Sequence, residues 1–351
     1  MVQGYRWEMR EPEQPLERVE VPTFEPGTGE VVVEVAACGL CHTDIGFLYD
    51  GVRPRHELPL TLGHEVSGRV VATAADTSTW NDALVVVPAV MPCGHCTACE
   101  TGRGSICPHQ RMPGNDIHGG FASHLIVPAD GLCPVDGPCD ESELRQLSVI
   151  ADAISTPYQA VRRSDLQPGQ VAVVVGLGGV GGFCAQIAKA QGAVVFGIEV
   201  DADRLARMTE FGVDLAVDPS AMTPRDLKKT VRAFAKERGL PQTCWRIFEC
   251  SGTTAGQATA FSLLNHGAWL SIVGFTRDPV SVRLSNLMAF DATCEGNWGC
   301  LPELYPPVLK LVRDGSVKIG PFIQEFPMSE VNEVLAAARS HSLDRRPVLV
   351  P

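Results

Sequence analysis

Val171-Ala172-Val173-Val174-Val175 runs directly into Gly176-Leu177-Gly178-Gly179-Val180-Gly181, and this junction decides the fold. The first five residues read as a short buried strand, and 179–191 carries the pattern of a helix. The glycines satisfy G-x-G-x-x-G between the two. They permit a tight turn and let backbone N–H groups approach a pyrophosphate resting on the helix N-terminus. The motif alone is weak, because glycine-rich turns often serve only packing; its strand–turn–helix context strengthens it. Outward from the junction, 194–199 reads as the next strand and 203–211 as a helix closed by Gly212, which completes a βαβ unit. Glu199 ends that second strand, where a carboxylate can accept hydrogen bonds from adenosine ribose hydroxyls and repel a 2′-phosphate, so NAD is expected over NADP. Asp201 and Asp203 read as a helix cap and a first-turn charge. The runs 245–249 and 269–273 continue the series, giving an α/β, doubly wound parallel sheet. Past about Asn297 the amphipathic stretch 304–312 reads as a closing helix.

On the N-terminal side the texture changes. Residues 29–140 are rich in Val runs, Pro and Gly, as in Glu30-Val31-Val32-Val33-Glu34-Val35, which suggests a β-rich domain with long loops. The 351 residues suffice for two domains at ~150 residues each. A formal charge of −12 argues against nucleic acid or an anionic membrane as partner. The glycines at 176, 178, 179, 181 and 182 break the most apolar stretch, 171–188, so no membrane span is expected. Thirteen cysteines, an odd number, with no signal peptide before Gly4-Tyr5-Arg6-Trp7-Glu8, point to reduced thiols and a cytoplasmic protein.

Four of those cysteines, Cys93, Cys96, Cys99 and Cys107, follow the spacing C-x2-C-x2-C-x7-C. Four thiolates close a tetrahedral shell around zinc and leave no position for substrate, so this site is expected to be structural. An iron–sulfur cluster is the rival reading of the same four ligands. His95 adds nothing that four sulfurs lack.

The four-cysteine lobe resembles that of the zinc-containing medium-chain alcohol dehydrogenases, and the resemblance covers nearly the whole chain. It implies a β-rich, GroES-like catalytic domain made of 1–153 and 297–351, with the zinc lobe at about 93–107. A Rossmann NAD-binding domain is then inserted at 154–296. Three segments match the family's catalytic zinc pattern: Gly39-Leu40-Cys41-His42-Thr43-Asp44, Gly63-His64-Glu65, and Asp152-Ala153-Ile154-Ser155-Thr156-Pro157-Tyr158. Cys41 and His64 fall on the first two ligand positions and Asp152 on the third, often Cys in the family; a carboxylate is an acceptable zinc ligand. Glu65 is the candidate fourth ligand, exchanging with water or substrate. His42 matches a residue that reaches cofactor phosphate, and Thr43 the hydroxyl that receives the alcohol proton. Some relatives end their proton relay on a histidine five residues after the ligand Cys; Gly46 stands there, so protons must leave another way.

The activity implied is hydride transfer from a secondary alcohol to NAD, giving a ketone, with two zinc ions per chain. As a whole the sequence is similar to the 6-hydroxycyclohex-1-ene-1-carbonyl-CoA dehydrogenases of anaerobic aromatic degradation, which implies a cyclic hydroxyacyl-CoA thioester as substrate. Arg53, Arg55 and His56 form a basic cluster that suits such a ligand's phosphates, although a merely solvated loop explains them as well. A general alcohol or polyol dehydrogenase, a zinc-free enone or quinone reductase of the same superfamily, and a noncatalytic NAD sensor are the alternatives. Relatives form dimers or tetramers, so a homo-oligomer is expected.

Overall fold

The computed structural model describes residues 2–351 and divides into two compact units. One comprises Thr156–Trp298 with Leu311–Lys318, the other Met1–Ser155 with Gly299–Lys310 and Ile319–Pro351.

The first of these is built on a six-stranded sheet in which every neighbouring pair is parallel. Its spatial order is Leu215–Val217, Val194–Ile198, Val171–Val175, Arg246–Glu249, Trp269–Ile272 and Thr293–Gly296. The chain thus winds outward in one direction from Val171–Val175 and then in the other. The point where the direction reverses lies between Val171–Val175 and Arg246–Glu249, and ligands of such sheets bind at the strand ends there. All five residues of Val171–Val175 are buried, as a parallel strand covered on both faces requires. The following helix is Gly181–Ala190, starting two residues later than the periodicity predicts because Gly179 and Val180 are spent in the turn. It buries Phe183, Cys184, Ile187 and Ala188. Across the sheet Phe196 meets Trp245 edge-on, ring centroids 6.3 Å apart at 82°. Each of these large apolar side chains contributes roughly 1.5–3 kcal/mol by leaving water.

The other unit is antiparallel for the most part. Its central strand, Glu30–Gly39, pairs with Glu65–Thr73, His124–Pro128 and Arg346–Val350, and turns Val31, Val33 and Val35 into the core. A smaller sheet joins Glu17–Phe24, Val2–Met9 and Leu60–Thr61. One pairing matters most for the site: Gly39, the last residue of its strand, lies opposite Glu65, the first of the next. Antiparallel register therefore carries Cys41 and His64, each just beyond that pair, to the same rim of the sheet. Gly63 makes the approach possible, since a Cβ there would lie 2.6 Å from the Phe121 ring and 2.8 Å from Cys38 Sγ, at a φ of +93°. No helix among the described residues is long and apolar enough to cross a membrane.

Candidate metal and cofactor sites

Cys41 caps the N-terminus of the helix His42–Tyr49, and Asp44 in its first turn reaches back to accept the Cys41 N–H at 2.9 Å. The other carboxylate oxygen of Asp44 accepts the Gly63 N–H at 2.9 Å and lies 3.6 Å from His64 Nδ1. A single buried carboxylate thus fastens the two loops that carry Cys41 and His64. Asp152 follows the short helix Leu147–Ala151, whose terminal carbonyl, that of Ala151, accepts hydrogen bonds from Tyr305 Oη and from Ser155 Oγ at 3.1 Å. The Ala89 N–H in turn donates to Tyr305 Oη at 3.1 Å.

These supports bring four side chains together. Cys41 Sγ is 3.4 Å and His64 Nε2 3.6 Å from Asp152 Oδ2, and the ligand atoms of Cys41, His64, Glu65 and Asp152 all lie within 4.8 Å of one another. One thiol, one imidazole and two carboxylates at this spacing suit a borderline-soft, tetrahedral cation and can hold zinc. Electrostatics agrees. Burial alone would push the His64 imidazole below its usual range, yet Asp44 and the hydrogen bonds His64 donates to Asp152 and Cys41 outweigh it and hold it well above. The negative charge that favours a proton at that point would also favour a divalent cation, which would bind the neutral ring in the proton's place. Glu65, fully buried, is raised by burial, while Arg346 opposes the shift. Arg346 Nε donates to Glu65 Oε2 at 2.8 Å, Arg346 Nη2 donates to Glu65 Oε1, and the Ala153 N–H donates to Oε1 at 3.0 Å. Thr43 Oγ1 sits 3.8 Å from Cys41 Sγ. His42 is stacked on His341, centroids 5.8 Å apart, and burial lowers its pKa, with His341 adding to the effect.

The second set is a separate sulfur cage. Cys93, Cys96, Cys99 and Cys107 gather with Sγ–Sγ distances of 3.5 Å for Cys96–Cys99 and Cys107–Cys93, 3.7 Å for Cys96–Cys107 and 4.0 Å for Cys93–Cys99. None of the chain's cysteines is joined in a disulfide. The Cys99 N–H pulls the Cys96 thiol down to about 7, and the His95 N–H lowers Cys93, so the backbone favours thiolates before any ion binds. Burial raises Cys107 to about 11, a cost that a cation would offset. His95 turns away and bonds the Cys93 carbonyl at 2.7 Å.

In the parallel-sheet unit the glycine turn shows why two of its residues lack side chains. A Cβ at Gly181 would stand 1.8 Å from the Gly176 carbonyl oxygen, and one at Gly176 2.6 Å from Ser251 Cα. Gly178 differs: its Cβ would meet nothing nearer than Arg204 Nη1 at 4.0 Å, so that face is open to a ligand. Val180 is the helix N-cap and offers no side-chain hydrogen bond, while the Gly182 N–H donates to the Gly178 carbonyl at 2.8 Å. Glu199 is buried beside them. Its Oε2 accepts the Leu177 N–H at 2.8 Å and lies 3.4 Å from Arg204 Nη1; its Oε1 accepts the Val200 and Asp201 N–H groups at 2.9 and 3.1 Å.

A dinucleotide turn on a doubly wound sheet, with a four-sulfur cage and an open Cys–His–carboxylate set on a β-rich unit, defines a metal-dependent dehydrogenase class. Family comparison agrees. Residues 27–137 match the alcohol dehydrogenase GroES-like domain, and residues 179–314 match the zinc-binding dehydrogenase domain. The chain is 30% identical over 337 residues to an alcohol dehydrogenase of Moraxella sp., covering 95% of each. It is 29% identical over 312 residues to the L-galactonate-5-dehydrogenase of Escherichia coli, covering 87% of each. Among solved structures, the alcohol dehydrogenase of the archaeon Aeropyrum pernix superposes with a TM-score of 0.87 at 26% identity, over 99% of this chain and 100% of that one. The chain belongs to the zinc-dependent alcohol dehydrogenase family.

Asp44, Tyr305 and Arg346 are the site residues that sequence reading passed over. An acidic residue three positions after a helix-capping residue is a capping signal that would have drawn attention to Asp44. Nothing in the local sequence ties Tyr305 or Arg346 to the metal-ligand segments.

Proposed function

We propose that this chain oxidises a secondary alcohol to a ketone, passing the hydride to NAD, with Cys41, His64 and Asp152 holding a catalytic zinc and Glu65 as its exchangeable fourth ligand. The observation that carries the reading is the convergence of those four side chains within 4.8 Å, one hydroxyl away from Thr43. In this reading Cys93, Cys96, Cys99 and Cys107 hold a second, structural zinc. When bound, the open-site zinc supplies Lewis acidity toward the alcohol oxygen and the nicotinamide supplies the hydride acceptor. Thr43 accepts the proton of the substrate hydroxyl at Oγ1 and passes its own onward. With Gly46 in place of a relay histidine, no side chain at that position would take the proton onward, and the ribose of a bound cofactor would supply the hydroxyl that does. His42, held neutral by burial, contributes an N–H to cofactor phosphate. Gly176, Gly178, Gly179, Val180 and Gly181 cradle the pyrophosphate, and Glu199 faces the adenosine ribose, favouring NAD. Arg204 beside it is the group that a 2′-phosphate would meet.

The same reading assigns 1–153 and 297–351 to catalysis and 154–296 to the cofactor. The compact units support it to within two residues at the main boundaries, while Leu311–Lys318 sides with the cofactor unit. Thirteen unbridged thiols support a reducing, cytoplasmic setting, and family membership supports a homo-oligomer.

For the substrate we infer a cyclic hydroxyacyl-CoA of the 6-hydroxycyclohex-1-ene-1-carbonyl type, a reading that rests on the resemblance named in the sequence and on the exposed Arg53. Arg55 contributes less, since Asp116 stands 3.5 Å from its guanidinium. The test is NAD reduction with cyclic alcohols, polyols and their CoA-linked counterparts. A preference for the thioester, lost as a raised KM in Arg53→Ala, supports the CoA ligand. Equal turnover of free and CoA-linked alcohol removes it and leaves a general alcohol or polyol dehydrogenase.

A further inference from the structure

A cavity of about 320 Å³ opens in the β-rich unit, and none of the metal-ligand candidates lines it. Its wall comes from both sheets of that unit. Arg6 lies on the strand Val2–Met9, Thr61 on Leu60–Thr61, and Arg111 and His118 on the segment that leads to His124–Pro128. Val21, Phe24 and Ile117 give it an apolar side.

Most of its polar groups can donate, Glu30 being the acceptor among them. His118 Nδ1 accepts the Thr61 N–H at 3.2 Å, which leaves the proton of the neutral ring on Nε2. Burial, helped by Arg6, brings the His118 pKa down to about 4, so the ring is a neutral donor at pH 7. Thr61 itself is fully buried, and its hydroxyl has no hydrogen-bond partner in the protein. A buried hydroxyl left alone costs free energy, and it is the kind of group that a bound ligand satisfies. Two guanidinium groups, Arg6 and Arg111, line the space against one carboxylate, Glu30, which lies 2.7 Å from Arg111 and also accepts the Gly27 N–H. Arg6 is tied to Glu8, whose charge is shared with Arg10.

We propose that this cavity is a binding site for a small carboxylate with an apolar body, its charge taken by Arg6 and Arg111, its oxygens by Thr61 and His118, and its ring or chain by Val21, Phe24 and Ile117. The site stands apart from the reaction and does not depend on the substrate assigned above. An arginine fork matches a planar carboxylate, and the apolar wall discriminates against an anion that carries no hydrocarbon.

The experiment titrates the zinc-loaded, full-length protein with benzoate, acetate and inorganic phosphate, following the His118 imidazole resonance and the melting temperature. Benzoate should shift the His118 signal saturably and bind at least tenfold more tightly than acetate or phosphate. Arg111→Met should weaken benzoate at least tenfold while kcat/KM for an alcohol stays unchanged. Thr61→Val, of equal volume, should raise the melting temperature of the free protein and reduce the benzoate-induced rise; it decides the matter should Arg111→Met fail to fold. Benzoate affinity unchanged by these substitutions, or phosphate binding as tightly as benzoate, overturns the proposal, since a carboxylate held at the metal site would ignore both positions.

Discussion

Asp44 and His64 face each other across 3.6 Å with no exposure to solvent, and the same carboxylate holds the Cys41 and Gly63 N–H groups. In the zinc site proposed above it would be an outer partner that orients the metal ligands. Asp44→Asn keeps the shape but turns one acceptor into a donor facing an N–H. We expect the zinc content to fall from about two per chain toward one and stability to drop by about 1–3 kcal/mol. Elemental analysis with denaturant titration checks it; an unchanged metal content would show that Asp44 serves packing alone.

The two metal sets should separate by phenotype. Cys93→Ser removes a thiolate from the closed cage and should lower the melting temperature first, because structural metal binding is folding free energy. Cys41→Ser should abolish turnover while the fold persists. Either variant should retain about one zinc per chain under the assignment of one closed and one open site. Iron in the purified protein, with visible sulfur-to-iron absorption, would replace the structural-zinc reading with a cluster.

Glu199→Ala should weaken NAD and narrow the gap to NADP, because the variant loses the repulsion toward a 2′-phosphate and leaves Arg204 uncompensated. The ratio of kcat/KM for the two cofactors is the readout. Glu199→Ala combined with Arg204→Ala should lose that NADP gain. A ratio that does not move in the single variant would place Glu199 in the turn's internal hydrogen bonding only.

Glu249 offers a test by pH. It is buried at the end of Arg246–Glu249; burial raises its pKa above the usual carboxylate range, and its Oε2 has no hydrogen-bond partner. A folded-state pKa above the unfolded one means that the fold favours the protonated acid. The stability this gives is complete below the unfolded value of about 4.3 and is lost as pH rises through the folded one. Glu249→Gln, neutral throughout, should therefore gain on the parent protein as pH rises above that unfolded value. Melting curves across that range check it, and a constant difference between the two proteins would show that Glu249 does not titrate there.

Much of this architecture was written locally. Val171–Val175 is a strand because five apolar residues allow nothing exposed, and Gly176 to Gly181 form a turn because side chains at Gly176 and Gly181 would collide with backbone. The sulfur cage is legible because all four ligands lie within fifteen residues. The open site was legible only in part. Cys41, His64 and Asp152 stood out by resemblance to family segments, while the contacts that hold them arise from sheet register and from side chains far along the chain. The exposed edge strand Thr293–Gly296 likewise carried no alternating pattern that would mark it.

Arg346 lies 281 residues beyond the Glu65 it neutralises, in a strand that pairs with the end of Glu30–Gly39. During synthesis, at about 5–20 residues per second, the sheet rim bearing Cys41 and His64 therefore waits on the order of ten to sixty seconds before its counter-charge emerges. Until then Glu65 faces an incomplete interior, and the entire dinucleotide-binding sheet can fold in the interval. The four thiols of the cage, Cys93 to Cys107, by contrast, are all at hand more than two hundred residues of growth before Arg346.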